Sequence, residues 1–143
     1  MTHIVLGFDF GLKRIGVAVG QTLTKTARPL TTLQARNGVP DWTQLANLIK
    51  TWQPTACIVG IPLNMDGTEQ PITQAAKEFS NQLAERFKIL VHGMDERLST
   101  KDARERLFNA GGYKALQDGQ IDSIAAQLIL ENWLNQNEHP PQE

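Results

Sequence analysis

Ile4-Val5-Leu6-Gly7-Phe8-Asp9-Phe10-Gly11, then Leu12-Lys13-Arg14, then Ile15-Gly16-Val17-Ala18-Val19, is the stretch that decides the fold. An apolar run ends on a carboxylate, a short turn follows, and a second apolar run leads away. Two such runs around a glycine-containing turn read as a β-hairpin with two cations at its tip. A strand buried on both sides rarely carries an acid unless that acid is paired, metal-bound or placed at the strand's end. A lone Asp-x-Gly is most often turn chemistry. Asp9 therefore gains meaning only if other carboxylates converge on it.

Downstream, the spacing predicts a third strand over 28–33, with Pro29 at its start or on an edge. Asp41 is placed to cap a helix over 42–52 whose Trp42, Leu45, Leu48, Ile49 and Trp52 share one face. Gln53-Pro54 stops it. The unbroken apolar run 56–61 suits a central parallel strand, and a loop with an Asp66-Gly67 turn follows. A long helix is expected over 71–87, then a buried strand at 89–91 leading into His92-Gly93-Met94-Asp95-Glu96. Ser99 or Thr100 caps a further helix to about Ala110, which Gly111-Gly112 ends. A last helix covers 121–134. A β-meander feeding two crossovers predicts an α/β fold, one five-stranded mixed sheet with helices on both faces. Residues 1–135 form a single domain in this reading and 136–143 a frayed tail.

Composition narrows the function classes. The chain has 143 residues, ordinary globular composition and a net charge of −1, which suits one compact domain. No apolar stretch approaches the roughly 20 residues a membrane span needs, and the N-terminus lacks the pattern of a signal peptide. The single Cys57, set in an apolar run, excludes a disulfide framework and a cysteine zinc site. A cytoplasmic protein is the expectation. Charge is unevenly spread: the first 36 residues carry Lys13, Arg14, Lys25, Arg28 and Arg36 against Asp9 alone. Positions 97–114 are also rich in cations, whereas Ala115 to Glu143 has five acids and no Lys or Arg. Such asymmetry permits a local phosphate-binding face, although solvated surface charge clusters in the same way.

Asp9, Asp95, Glu96 and Asp122 all fall at the edge where the parallel strands end, which is where open α/β sheets build their sites. Each has an ordinary role as well. Asp122 in the first turn of a helix is favoured by the helix dipole, and Asp95-Glu96 suit a solvated loop. Strand alternation points only one of that pair inward. An all-oxygen cluster suits magnesium or manganese rather than zinc. Two such ions roughly 3.5–4 Å apart activate a water and stabilise the leaving oxygen in phosphodiester cleavage. His3, His92 and His139 are isolated, and neither a Walker loop nor a Gly-x-Ser-x-Gly elbow is present. The loop Pro62-Leu63-Asn64-Met65-Asp66-Gly67-Thr68, which includes Asn64, opens onto a helix N-terminus where backbone donors can hold phosphate. Its commoner role is a simple strand-to-helix connection. Arg97 and Lys101 are placed either to grip a phosphate or to lie on the surface.

Four blocks in order carry a resemblance. They are Phe8-Asp9-Phe10-Gly11 through Ile15-Gly16-Val17-Ala18-Val19-Gly20, Ile58-Val59-Gly60-Ile61-Pro62-Leu63-Asn64-Met65-Asp66-Gly67-Thr68, Asp95-Glu96-Arg97-Leu98-Ser99-Thr100, and Ile121-Asp122-Ser123-Ile124-Ala125-Ala126. They resemble the YqgF (RuvX-like) family of pre-16S rRNA nucleases related to Holliday junction resolvases. The resemblance spans nearly the whole chain. It implies a ribonuclease-H-like fold, a bacterial cytoplasmic location and maturation of the 5′ end of 16S ribosomal RNA. It further implies hydrolysis dependent on Mg2+ or Mn2+, with Asp9, Glu96 and Asp122 as catalytic and metal-binding acids. Lys13, Arg14, Asn64, Arg97 and Lys101 are the expected nucleic-acid contacts. One departure from the wider resolvase pattern is visible: no acid follows Ile61 before Asp66, so the second acid falls to Glu96 after the next strand. The expected partner is RNA, as precursor or pre-ribosomal particle, and the expected assembly is a monomer or homodimer. The alternatives are a resolvase acting on branched DNA and a non-catalytic RNA-binding assembly factor. An actin-like ATPase is set aside, because a chain of this length has no second lobe.

Overall fold

A computed structural model describes residues 3–95 and 121–136. Its strands are β1 (Ile4–Asp9), β2 (Arg14–Gln21), β3 (Thr26–Arg36), β4 (Val39–Pro40), β5 (Ala56–Ile61) and β6 (Leu90–Asp95). The helices are α1 (Trp42–Trp52), α2 (Pro71–Phe87) and α3 (Ile121–Asn135). The strands form one sheet in the order β4-β3-β2-β1-β5-β6. The meander from β1 to β4 is antiparallel, and β5 and β6 run parallel to β1. The mixed sheet with helices on both faces agrees with the reading from sequence. The helix expected to start at Ser99 or Thr100 and all but the first residue of the expected tail 136–143 lie outside the described residues.

Three details differ. The sheet has six strands, because Asn37 and Gly38 adopt left-handed φ values of 53° and 83° and close a tight hairpin. That turn lays β4 along Ala35 and Arg36, as an Asn-Gly pair favours. β3 extends well beyond 28–33 and contains Pro29. A register shift opposite Val17 and Ala18 leaves Leu30 without a ladder partner, and such a bulge accommodates a proline that cannot donate to the ladder. β6 continues to Asp95 because its parallel register with β5 runs unbroken from Leu90 opposite Ala56 to Asp95 opposite Ile61.

Strand alternation sorts the core onto two faces. Leu6 and Phe8 of β1, with Ile15 and Val17 of β2 and Val59 of β5, meet α1 and α2 through Leu45, Phe79 and Leu83. Phe79 is the hub: its ring lies 5.4–5.9 Å from those of Phe8, Phe10 and Trp42, the spacing that aromatic pairs favour. Val5, Ala18, Ile58 and Met94 face the other way and are covered by Ala126, Ile129 and Leu130 of α3. Local chemistry sets the helix ends. Asp41 accepts hydrogen bonds from the backbone N–H groups of Thr43 and Gln44 at 3.0 and 3.3 Å, satisfying donors that the first turn leaves unpaired. Gln53, left-handed with φ 46°, ends α1. None of the described helices is long and apolar enough to cross a membrane.

Candidate functional site

Asp9 is the last residue of β1 and is half-buried. Alternation from Val5 and Gly7 puts it on the α3 face, and its ladder partner is Gly16 of β2. Gly16 sets the geometry of this edge. A Cβ built on it would lie 1.9 Å from the Asp122 carbonyl oxygen and 2.2 Å from the Asp122 carbonyl carbon. The first turn of α3 is thus seated directly on β2, beside the strand position that carries Asp9. Gly7 and Gly20 continue the close approach, since added Cβ atoms there would press on Leu130 and on Leu130 and Leu134. Asp122 near Gly16 and Leu134 near Gly20 give α3 the direction of β2. Its N-terminus, the positive end of its dipole, therefore points to the edge where β1 ends. Polar bonds fasten the rest of the helix. Gln127 Nε2 donates to the Ala27 carbonyl at 3.0 Å, and Asn135 Nδ2 donates to the Lys25 carbonyl at 3.3 Å.

Arg14 opens β2, and its Nε donates to Asp122 Oδ2 at 3.0 Å. The two side chains are 59% and 24% exposed. Lys13, next to it, is exposed, and its carbonyl accepts from the Ala35 backbone N–H at 2.9 Å, which anchors the hairpin tip to β3. Asp95 ends β6 in register with Ile61, so it shares the α2 side of the sheet, whereas Met94 before it packs under α3. Alternation therefore turns Asp95 away from the face of Asp9. Glu96, Arg97 and Lys101 lie outside the described residues. Among the described residues, no group of three or more His, Cys, Asp or Glu side chains is close enough to hold a metal ion. Asp9 and Asp122 are oxygen donors, which suits a hard divalent cation, and they supply two ligand residues.

The 62–70 loop is built as a compact turn. Asp66 accepts from the Thr68 backbone N–H at 3.0 Å and from its hydroxyl at 2.6 Å, and Gly67 is left-handed at φ 92°. Asn64 donates through Nδ2 to Thr68 Oγ1 at 2.9 Å, and its backbone N–H bonds the Thr68 carbonyl at 2.8 Å. Its side chain thus helps to hold the loop's shape. Buried Thr73 joins this loop to α2: its hydroxyl donates to the Pro62 carbonyl and accepts from the Gln70 N–H at 2.8 Å. Burial pushes the Cys57 thiol up to about 12, which keeps it protonated and unreactive. The positioning role of Gly16 was not read from the sequence. The available signal was a glycine inside an otherwise apolar strand, which marks close backbone approach.

Solved structures share this fold. RuvC from T. thermophilus in complex with a Holliday junction substrate superimposes with a TM-score of 0.56 at 16% identity, covering 91% of each chain. Fowlpox virus resolvase with junction DNA gives 0.53 at 13% identity, covering 92% of this chain and 96% of that one. The architecture is the ribonuclease-H-like fold of the resolvases. A model of the RuvX family, described as Holliday junction resolvase, matches residues 3–136. The chain belongs to that family and is a nuclease, a hydrolase of phosphodiester bonds. A relative from Shewanella denitrificans is 56% identical over 133 residues, covering 93% of this chain and 94% of its own. One from Cronobacter sakazakii is 56% identical over 137 residues, covering 96% and 99%. Both carry the name "Putative pre-16S rRNA nuclease".

Proposed function

We propose that the chain is a divalent-metal-dependent endoribonuclease that trims the 5′ end of pre-16S rRNA in the cytoplasm. The observation that carries this reading is the seating of Asp122 on Gly16, the ladder partner of Asp9, at the C-terminal edge of β1. The names of the relatives supply the substrate. Asp9 and Asp122 would hold Mg2+ or Mn2+, with Glu96 as the third acid. The alternation that faces Asp95 away from Asp9 favours the next position for that role. A bound ion of this kind supplies charge stabilisation and an activated water for phosphodiester hydrolysis. Lys13, Arg14, Arg97 and Lys101 would position the backbone, since phosphate contacts set register on a nucleic acid. Asn64 would act through the shape of its loop.

A second reading, cleavage of branched DNA, is favoured by the family description and by the junction-bound structures that share the fold. One experiment separates the two. The purified protein and its Asp9→Asn variant are incubated with precursor 16S rRNA and with a four-way DNA junction, each with magnesium or manganese. Cleavage of the rRNA that Asp9→Asn abolishes is the expected result. Cleavage confined to the junction, with a two-fold dimer in solution, supports the resolvase. RNA binding without cleavage in either protein supports a non-catalytic assembly factor and refutes the nuclease roles given to these acids.

A further inference from the structure

A hairpin tip with two adjacent cations suits a nucleic-acid backbone, but Arg14 can take the backbone role proposed for it only by leaving an intramolecular contact. Its Nε donates to Asp122 Oδ2 across 108 positions of sequence. The acid it holds is the one whose backbone Gly16 fixes beside the ladder position of Asp9. Helix α3 does not depend on this contact for its seat. The Gly16 approach, the Gln127 bond to Ala27 and the Asn135 bond to Lys25 hold it at three levels along β2 and β3. The Arg14 side chain is also well exposed, at 59%, so it can leave Asp122 by side-chain rotation alone.

We propose that Arg14 is a displaceable counter-cation of Asp122. It neutralises the carboxylate while no metal is bound and must give way for a divalent ion to take that oxygen. This rests on the assignment of Asp9 and Asp122 as metal ligands. An ion pair this exposed is weak. It therefore sets a threshold on metal occupancy and does not block it. The competing role, a structural clip between β2 and α3, makes the opposite prediction, because losing a clip would loosen Asp122 and weaken metal binding.

Titration calorimetry with Mn2+ on the wild-type protein, Arg14→Gln, Arg14→Lys and Asp9→Asn tests this. Cooperative melting of each protein in EDTA shows that it is folded. The expected result is Mn2+ binding that Asp9→Asn removes, tightened roughly two- to fivefold in Arg14→Gln, the range an exposed pair can supply. Arg14→Lys, with a shorter arm and a single point charge, falls between wild type and Arg14→Gln. Asp9-dependent binding that is unchanged or weaker in Arg14→Gln overturns the counter-cation role and leaves the metal site standing. The absence of Asp9-dependent Mn2+ binding in every protein refutes the metal site, and the counter-cation role with it.

Discussion

Gly16→Ala is the most informative single change to the framework of this site. The added methyl would sit 1.9 Å from the Asp122 carbonyl oxygen, whereas real Cβ atoms essentially never approach closer than 3.0 Å. The first turn of α3 must therefore retreat by at least the difference, about 1.1 Å. The atoms in the way are backbone, so no rotamer change relieves the contact. Overpacking of this kind costs about 1–3 kcal/mol, offset by up to about 1 kcal/mol from the stiffer unfolded chain. On the catalytic role proposed for Asp122, the effect on chemistry is of comparable size: a misplacement of about 1 Å costs on the order of 100-fold in rate. Gly20→Ala is the matched control. Its Cβ would meet the Thr26 carbonyl oxygen at 2.9 Å and the flexible tips of Leu130 and Leu134 at 3.0 and 3.1 Å, at the far end of the helix. Thermal melts and single-turnover cleavage measured on both variants should show some destabilisation in each and a rate loss confined to Gly16→Ala. A Gly16→Ala protein with wild-type cleavage rate would refute the claim that this glycine places Asp122.

Thr73→Val removes a buried hydroxyl that bonds both Pro62 and Gln70. With two partners left unsatisfied, urea unfolding should show a loss of about 1–3 kcal/mol, and an unchanged midpoint would contradict the role of Thr73 as the tie between loop and helix. Cys57 should resist alkylation at pH 8 in the folded protein and react fully in denaturant; equal rates in both states would contradict its burial. Its thiol titrates near 9 when exposed and about 12 when folded. Between those values the unfolded chain has released a proton that the folded chain retains, so this group makes stability fall as pH rises through that window. Cys57→Ala should remove that contribution, read by comparing the slope of stability against pH in the two proteins.

The hairpin around Asp9, the caps at Asp41 and Gln53 and the central strand were legible because they depend on local alternation and turn chemistry. The Asn37-Gly38 hairpin is equally local, since that dipeptide is a strong turn signal. The length of β6 was harder to read. His92 and Gly93 interrupt the apolar run, and only pairing with β5 carries the strand on to Asp95. The contact between Arg14 and Asp122 had no local signature, since it joins residues 108 positions apart. The seat of Asp122 on Gly16 was likewise beyond local pattern: a glycine in a strand signals close approach without naming what approaches.

Helix α3 is the last of the described elements to leave the ribosome, and it carries one of the two acids placed at the edge of β1. Until it docks, no other described element covers the glycine-lined face of β1 and β2. The joining contacts span 100 to 110 positions of sequence, which makes docking a late event in folding. A partly synthesised chain can thus hold Asp9 in its finished sheet while lacking Asp122. For an enzyme whose relatives are named for cutting ribosomal RNA, the site proposed around Asp9 and Asp122 is completed only once α3 has been made and has docked.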